Sequence, residues 1–182
     1  MKIIPTSAVL LSATLLLGAC VSQNTYKQEV SKASTYQQLD KQLKGEVAAD
    51  QAQITQLQNM VRVTLANGIL FPEGGWELKA DGKATVDKLA PVLKTLSGQT
   101  IVVKGFTDNL PIGPELRQRF PTNVELSKAR AQSVANELAA QGVPMSMITV
   151  TGLGEADPVA PNDTEQGRAK NRRVVMDVVE AR

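Results

Sequence analysis

The chain has no histidine, a single cysteine, only 3% aromatic residues and no large excess of either charge. Without histidine, zinc amidase chemistry and Ser-His or Cys-His nucleophile activation lack their base. A lone cysteine, Cys20, leaves no intramolecular disulfide to form. So few aromatics argue against base-stacking platforms and wide sugar-stacking clefts. The 20 basic residues against 18 acidic ones give a net charge of +2, too even for an electrostatic nucleic-acid binder. What remains is a non-enzymatic module with no cofactor, no metal and no nucleic-acid partner.

The N-terminus carries an address. Met1-Lys2 is a positive start, and Ala8 to Ala19 is an apolar run broken only by small Ser12, Thr14 and Gly18. An uncleaved membrane span is the alternative reading, but the run is short of the ~20 residues that cross a bilayer. A plain secretory signal ends in small residues and is removed. Here Leu17-Gly18-Ala19-Cys20 places the cut before the cysteine. That pattern resembles a lipobox and implies thioether lipidation of Cys20, with acyl chains such as palmitate. Two or three chains anchor a protein firmly, whereas a single chain binds marginally. Val21 and Ser22 follow with no aspartate after the cysteine. The resemblance to lipoprotein sorting signals implies the periplasmic face of the outer membrane.

Three segments are expected: a signal at 1–19, a lipidated polar helical tether at 20–58, and a domain at 59–182. In the tether, Leu43, Val47, Asp50, Ile54, Leu57 and Val61 recur at helical spacing. With Gly45 and Asp50 interrupting it, the seam predicts a polar helical spacer leaning on its own domain or on a second copy. Forty helical residues would reach ~60 Å.

Within the domain, Val61, Val63 and Leu65 alternate with polar residues and continue into Gly68–Phe71 as a first strand. Asp81 is a candidate N-cap for a helix carrying Val86, Leu89, Leu93 and Leu96, kinked or shortened by Pro91. Ile101–Val103 is a short buried strand. Thr122-x-x-Glu125 reads as a capping box for a helix that stops at Gly142 and Pro144. Ile148–Thr151, a short helix near Thr164–Lys170 and a last strand at Arg173–Glu180 complete the pattern. The expected fold is α/β, a two-layer βαβαβ(α)β sandwich with helices packed on one mixed sheet.

On local grounds the polar residues have plain roles. Asp108-Asn109 is a common turn pair, and Arg130, on the border of an apolar helix stripe, can snorkel. Asn123 can be a cap, and Arg168, Lys170, Arg172 and Arg173 a solvated helix end. Their conjunction is more specific. Gly105-Phe106-Thr107-Asp108-Asn109, then Asn123–Ala131 with its Leu-Ser-x-x-Arg-Ala core, then Asn171-Arg172-Arg173-Val174 follow in order. Together they resemble the peptidoglycan-binding domain family named after the C-terminal half of outer-membrane protein A, shared by Pal lipoproteins and flagellar motor stators. The resemblance covers roughly residues 61–180.

The resemblance implies that Asp108 receives the ammonium and Arg130 the carboxylate of meso-diaminopimelate in the peptidoglycan peptide stem. Thr107, Asn123 and Asn171 are implied as polar lining. An arginine fork suits a carboxylate bidentately. Two departures stand out: Phe106 where many members have His or Tyr, and a long Pro-containing connection from Leu110 to Pro121 closer to the stator version. That connection could reshape the site rim or meet a protein partner. The implied function is an outer-membrane lipoprotein tethering the envelope to the wall. The alternative is a component of a flagellar-motor or secretion assembly docking through the same domain, with a protein partner or homodimer through the tether.

If Cys20 is acylated, the mature protein partitions into detergent and sediments with outer membranes, and Cys20→Ala leaves it soluble or uncleaved. Mass spectrometry of the native protein checks this; an unmodified Cys20 thiol would contradict it.

Overall fold

The computed structural model describes residues 23–181, so the expected signal segment and Cys20 lie outside the described residues. Five strands form one sheet: β1 (Ala52–Leu57), β2 (Met60–Ala66), β3 (Gln99–Gly105), β4 (Ile148–Gly152) and β5 (Arg173–Glu180). Their order is β1-β2-β5-β3-β4. Every neighbouring pair is antiparallel except β3 with β4. That parallel pair needs a crossover, which helix α6 (Asn123–Ala140) supplies.

Period-two alternation sorts the strand residues. Val61, Val63 and Leu65 of β2, Ile101 and Val103 of β3, and Val174, Met176 and Val178 of β5 are buried on one face. Helices α1 (Gln23–Gln42), α4 (Ala80–Leu93) and α6 cover that face through Leu39, Val86, Leu89, Leu93, Val134 and Leu138. The mixed, two-layer architecture agrees with the alternating strand-and-helix pattern of the sequence. Glu125 accepts from the Thr122 backbone N–H at 2.7 Å and from its hydroxyl at 2.8 Å, closing the start of α6. Helix α4 runs through Pro91 and ends at Leu93, short of Leu96. Its N-cap is Lys79, not Asp81, which lies in the first turn, where a carboxylate suits the helix dipole.

The N-terminal part differs most from expectation. The helical spacer is not continuous to residue 58: α1 is followed by the short α2 (Lys44–Ala48) and then by β1, a fifth strand. Asp50 adopts a left-handed φ of 56° and ends the helical path. Beyond it, Ala52 and Ile54 turn toward the core while Gln53 and Thr55 face away, a two-residue period hidden under the helical spacing. The expected boundary at 58/59 therefore falls inside the β1–β2 hairpin. Leu39 and Leu43 are fully buried in the main core, so the segment leans on its own domain. The first strand also ends at Ala66, and Asn67–Leu70 form a single helical turn, α3.

The opposite sheet face is open and carries charge. Asp177, at the centre of β5 and 1% exposed, accepts from Arg62 at 2.6 and 2.9 Å and from Lys104 at 2.8 Å. Burial alone would raise its pKa, but the hydrogen bonds from Arg62 and Lys104 outweigh burial and hold it below the usual carboxylate value. A depressed carboxylate contributes stability above its unfolded pKa and loses it as pH falls through the folded one. Asp177→Ala should cost about 3 kcal/mol, which lowers Tm by roughly 6–12 °C for a domain of this size. Its acid-unfolding limb below pH ~4 should flatten relative to wild type. Thermal melts across pH check both effects.

Candidate functional site

The ends of β3 and β4 meet the first turns of α6. A Cβ on Gly105 would lie 1.9 Å from the Ser127 carbonyl oxygen, and one on Gly152 would lie 2.2 Å from that of Val124. Only glycine permits this approach. Beyond β3 the chain is pinned by Phe106 N–H donating to Arg173 O at 2.9 Å and Thr107 N–H donating to Gly154 O at 2.8 Å. Thr107, 4% exposed, donates through its hydroxyl to the Asp108 carbonyl at 2.8 Å.

Asp108 follows at the rim of the sheet, 7% exposed. Its Oδ1 accepts from Leu110 N–H at 3.1 Å, an Asx-type turn. Its Oδ2 accepts from Arg172 Nη1 at 2.6 Å, and Arg172 Nη2 also donates to Glu165 at 2.6 Å. The turn reading of Asp108-Asn109 is thus present together with an ion pair. Asn123, the first residue of α6, donates to the Leu110 carbonyl at 3.0 Å and holds the start of the long connection.

Arg130 is 7% exposed and does not snorkel. Its Nε donates to the Gly75 carbonyl at 2.8 Å, and its guanidinium carbon lies 5.7 Å from the Phe71 ring centre. Among the described residues neither Nη1 nor Nη2 has an acceptor. Burial pushes its pKa down, the charge of Asp108 pushes it up and that of Arg172 down, with the result near about 10. The group is therefore still cationic at neutral pH and lies within the field of Asp108.

The 110–122 connection folds over a small core of its own. It carries α5 (Pro114–Arg117), and Ile112, Phe120 and Leu126 bury one another with Trp76 against them. Trp76 and Phe120 meet edge to face at 5.1 Å, and Arg119 covers Trp76 at 4.5 Å. Ser133 of α6 donates to the Trp76 carbonyl at 2.7 Å. The 72–79 loop is thus fastened to α6 by Arg130 and Ser133, and the connection closes against it.

Asn171 is placed differently from the expected lining. Its amide accepts from Val159 N–H at 2.8 Å and Ala160 N–H at 3.1 Å, and donates to Ala160 O and Asn162 Oδ1 at 2.8 Å each. All of its bonding capacity braces the 159–162 loop beside α7 (Glu165–Asn171). Arg172 is the residue that sequence reading passed over as part of a basic cluster. The register that sets Gly105 opposite Val174 brings Arg172 alongside Thr107 and Asp108, and only the strand order reveals it. Arg173 stacks on Phe106 with its guanidinium carbon 3.8 Å from the ring centre, which gives that departure residue a structural role.

A trough of about 1030 Å³ lies on the open sheet face, lined by Arg62, Lys104, Phe106, Arg173 and Val175. It includes neither Asp108 nor Arg130, and its lining cations Arg62 and Lys104 are already paired with Asp177. The largely buried guanidinium of Arg130, whose Nη groups no protein acceptor takes among the described residues, is therefore the more informative feature. Among the described residues no group of three or more His, Cys, Asp or Glu could hold a metal ion.

The pattern of the OmpA family matches residues 70–172, more than half of the chain. The chain belongs to the OmpA family. It is 37% identical over 121 residues to the probable lipoprotein YiaD of Escherichia coli K12, covering 66% of this chain and 52% of that protein. It is 36% identical over 118 residues to the peptidoglycan-binding protein ArfA of Mycobacterium bovis, covering 65% of this chain and 34% of ArfA. The chain thus spans about half or less of these relatives. The cell wall anchor of the T6SS from Pseudomonas aeruginosa superposes with a TM-score of 0.71 at 30% identity, covering 78% of this chain and 96% of the anchor. A periplasmic, membrane-associated location accords with the family and these relatives, as does a non-enzymatic module.

Proposed function

We propose that the domain docks non-covalently on peptidoglycan by gripping the diaminopimelate of the peptide stem between Asp108 and Arg130, in a protein lipid-anchored at the periplasmic face of the outer membrane. The observation that carries this is the buried Arg130 guanidinium, whose two Nη groups have no acceptor among the described residues while Asp108 lies within its field. The Arg130 Nη groups are not among the sealed-off unpartnered polar atoms, so they remain reachable, and a ligand carboxylate would fill the acceptor positions that the protein leaves to them. The amine of the same centre is then directed to Asp108. There it meets Arg172, which shares its guanidinium with Glu165 and keeps that partner when Asp108 takes a ligand. Asn123 and Thr107 hold the walls of this site; Asn171 acts at one remove, through the loop it braces.

A second reading is favoured by the likeness to the type VI secretion anchor: the same grip would dock a larger assembly on the wall. The 110–122 connection, with Leu110 exposed at its start, gives such a partner a place to meet the domain.

Removing one member of a desolvated charge pair at an interface costs ~2–5 kcal/mol. Asp108→Ala or Arg130→Ala should therefore weaken co-sedimentation with purified sacculi by roughly two orders of magnitude. Wild-type retention by both variants would refute the assigned site. Selectivity is a separate expectation. A lysine stem lacks the distal carboxylate, and a site built around a polar group strongly rejects analogues without it. Calorimetry should show binding of a diaminopimelate muropeptide and little of its lysine counterpart; equal affinities would mean that another part of the wall is read.

A further inference from the structure

We infer that the free edge of β1 is a self-association surface, on which a second copy of this chain adds its own β1 antiparallel to build a continuous ten-stranded sheet. The inference starts from hydrogen-bond parity. Ala66 N–H donates to Gln51 O, which sets residues 51, 53, 55 and 57 to bond inward to β2. Ala52, Ile54 and Gln56 then point their N–H and C=O groups outward. None of these six groups has a hydrogen-bond partner among the described residues.

Natural sheet edges are commonly blunted by lysine, proline, a bulge or a covering element. Gln51 to Met60 contains no charged residue, no proline and no glycine, and β1 pairs with β2 in unbroken register without a bulge. Lys32 of α1 donates to the Gln58 carbonyl, beyond the strand's end, and leaves residues 52–56 uncovered by a charge. The other edge, β4, is shorter, and its C-terminal end is held against α6 at Gly152. A foreign strand would find no charge on β1 to select it, whereas a second copy meets no like charge. Two-fold pairing centred on Ile54 uses every outward group, setting Ile54 opposite Ile54 and Ala52 opposite Gln56 of the second copy. Side chains alternate in sign with the pleat, so the core-facing Ile54 residues extend the apolar layer across the junction. On the open face, Leu57 (38% exposed) comes to lie across from Gln51 of the second copy, next to the corner that carries exposed Val47. Pairing consumes both β1 edges and closes at two copies.

The test is cysteine oxidation of the full chain in a Gram-negative host. Ile54→Cys is compared with Gln37→Cys, an exposed position on α1, and the wild-type chain measured in parallel accounts for any linkage through Cys20. Cα atoms of a directly opposed, hydrogen-bonded antiparallel pair sit about 5.5 Å apart, within disulfide reach. The expected result is a disulfide-linked dimer several-fold more abundant for Ile54→Cys than for Gln37→Cys; equal yields overturn the proposal. Gln56→Pro gives an independent check, because it removes an outward N–H and leaves the bonds to β2 intact. Sedimentation of the detergent-solubilised protein should show twice the monomer mass for wild type and the monomer for Gln56→Pro. A monomeric wild type, a dimeric Gln56→Pro, or a species larger than the dimer each overturns it.

Discussion

The backbone contact between α6 and the ends of β3 and β4 governs where everything else lies. With hydrogen as the side chain at 105 and 152, the helix drops onto the strand ends until carbonyl oxygens of Val124 and Ser127 occupy the space of two missing Cβ atoms. Ser127 strengthens the junction by accepting from Gly154 N–H at 2.9 Å. Because the helix sits this low, Arg130, two turns into α6, lies within the field of Asp108, just past β3. A larger residue at either glycine would lift α6 and separate the acid from the guanidinium without touching either side chain.

The charges around that volume are divided unequally. Among the described residues Asp108 has a protein cation, Arg172, while Arg130 has a backbone carbonyl and an aromatic face. Among these residues the acid is thus paired within the protein and the guanidinium is not. The aromatic floor under Arg130 and the loop held by Ser133 fix the position of the guanidinium.

Much of this was legible in the chain because the signals were local. The capping box at Thr122 and Glu125, the alternation in 61–65 and the stop at Gly142 each depend on neighbours within a few residues. Asp108 and Arg130 could be singled out by their order among motif residues. Three things were not legible, each for its own reason. The role of Arg172 follows from β5 lying beside β3, and Asn171 braces the 159–162 loop through backbone groups of Val159 and Ala160 and the Asn162 side chain. The strand at 52–57 was concealed because Ile54 and Leu57 also satisfy helical spacing, and only the left-handed Asp50 separates the two periods.

Helix α1 has a mechanical consequence. Its C-terminal part is held by Leu39 and by the neighbouring Leu43, whereas Tyr26 and Val30 near its start are exposed. Tension applied from the N-terminal side while the domain grips a fixed substrate would act first on the weakly held turns and peel the helix from its outer end. Each residue released lengthens the path from about 1.5 Å to ~3.4 Å. Under such tension the segment would yield before the sheet is loaded and re-coil when the strain falls.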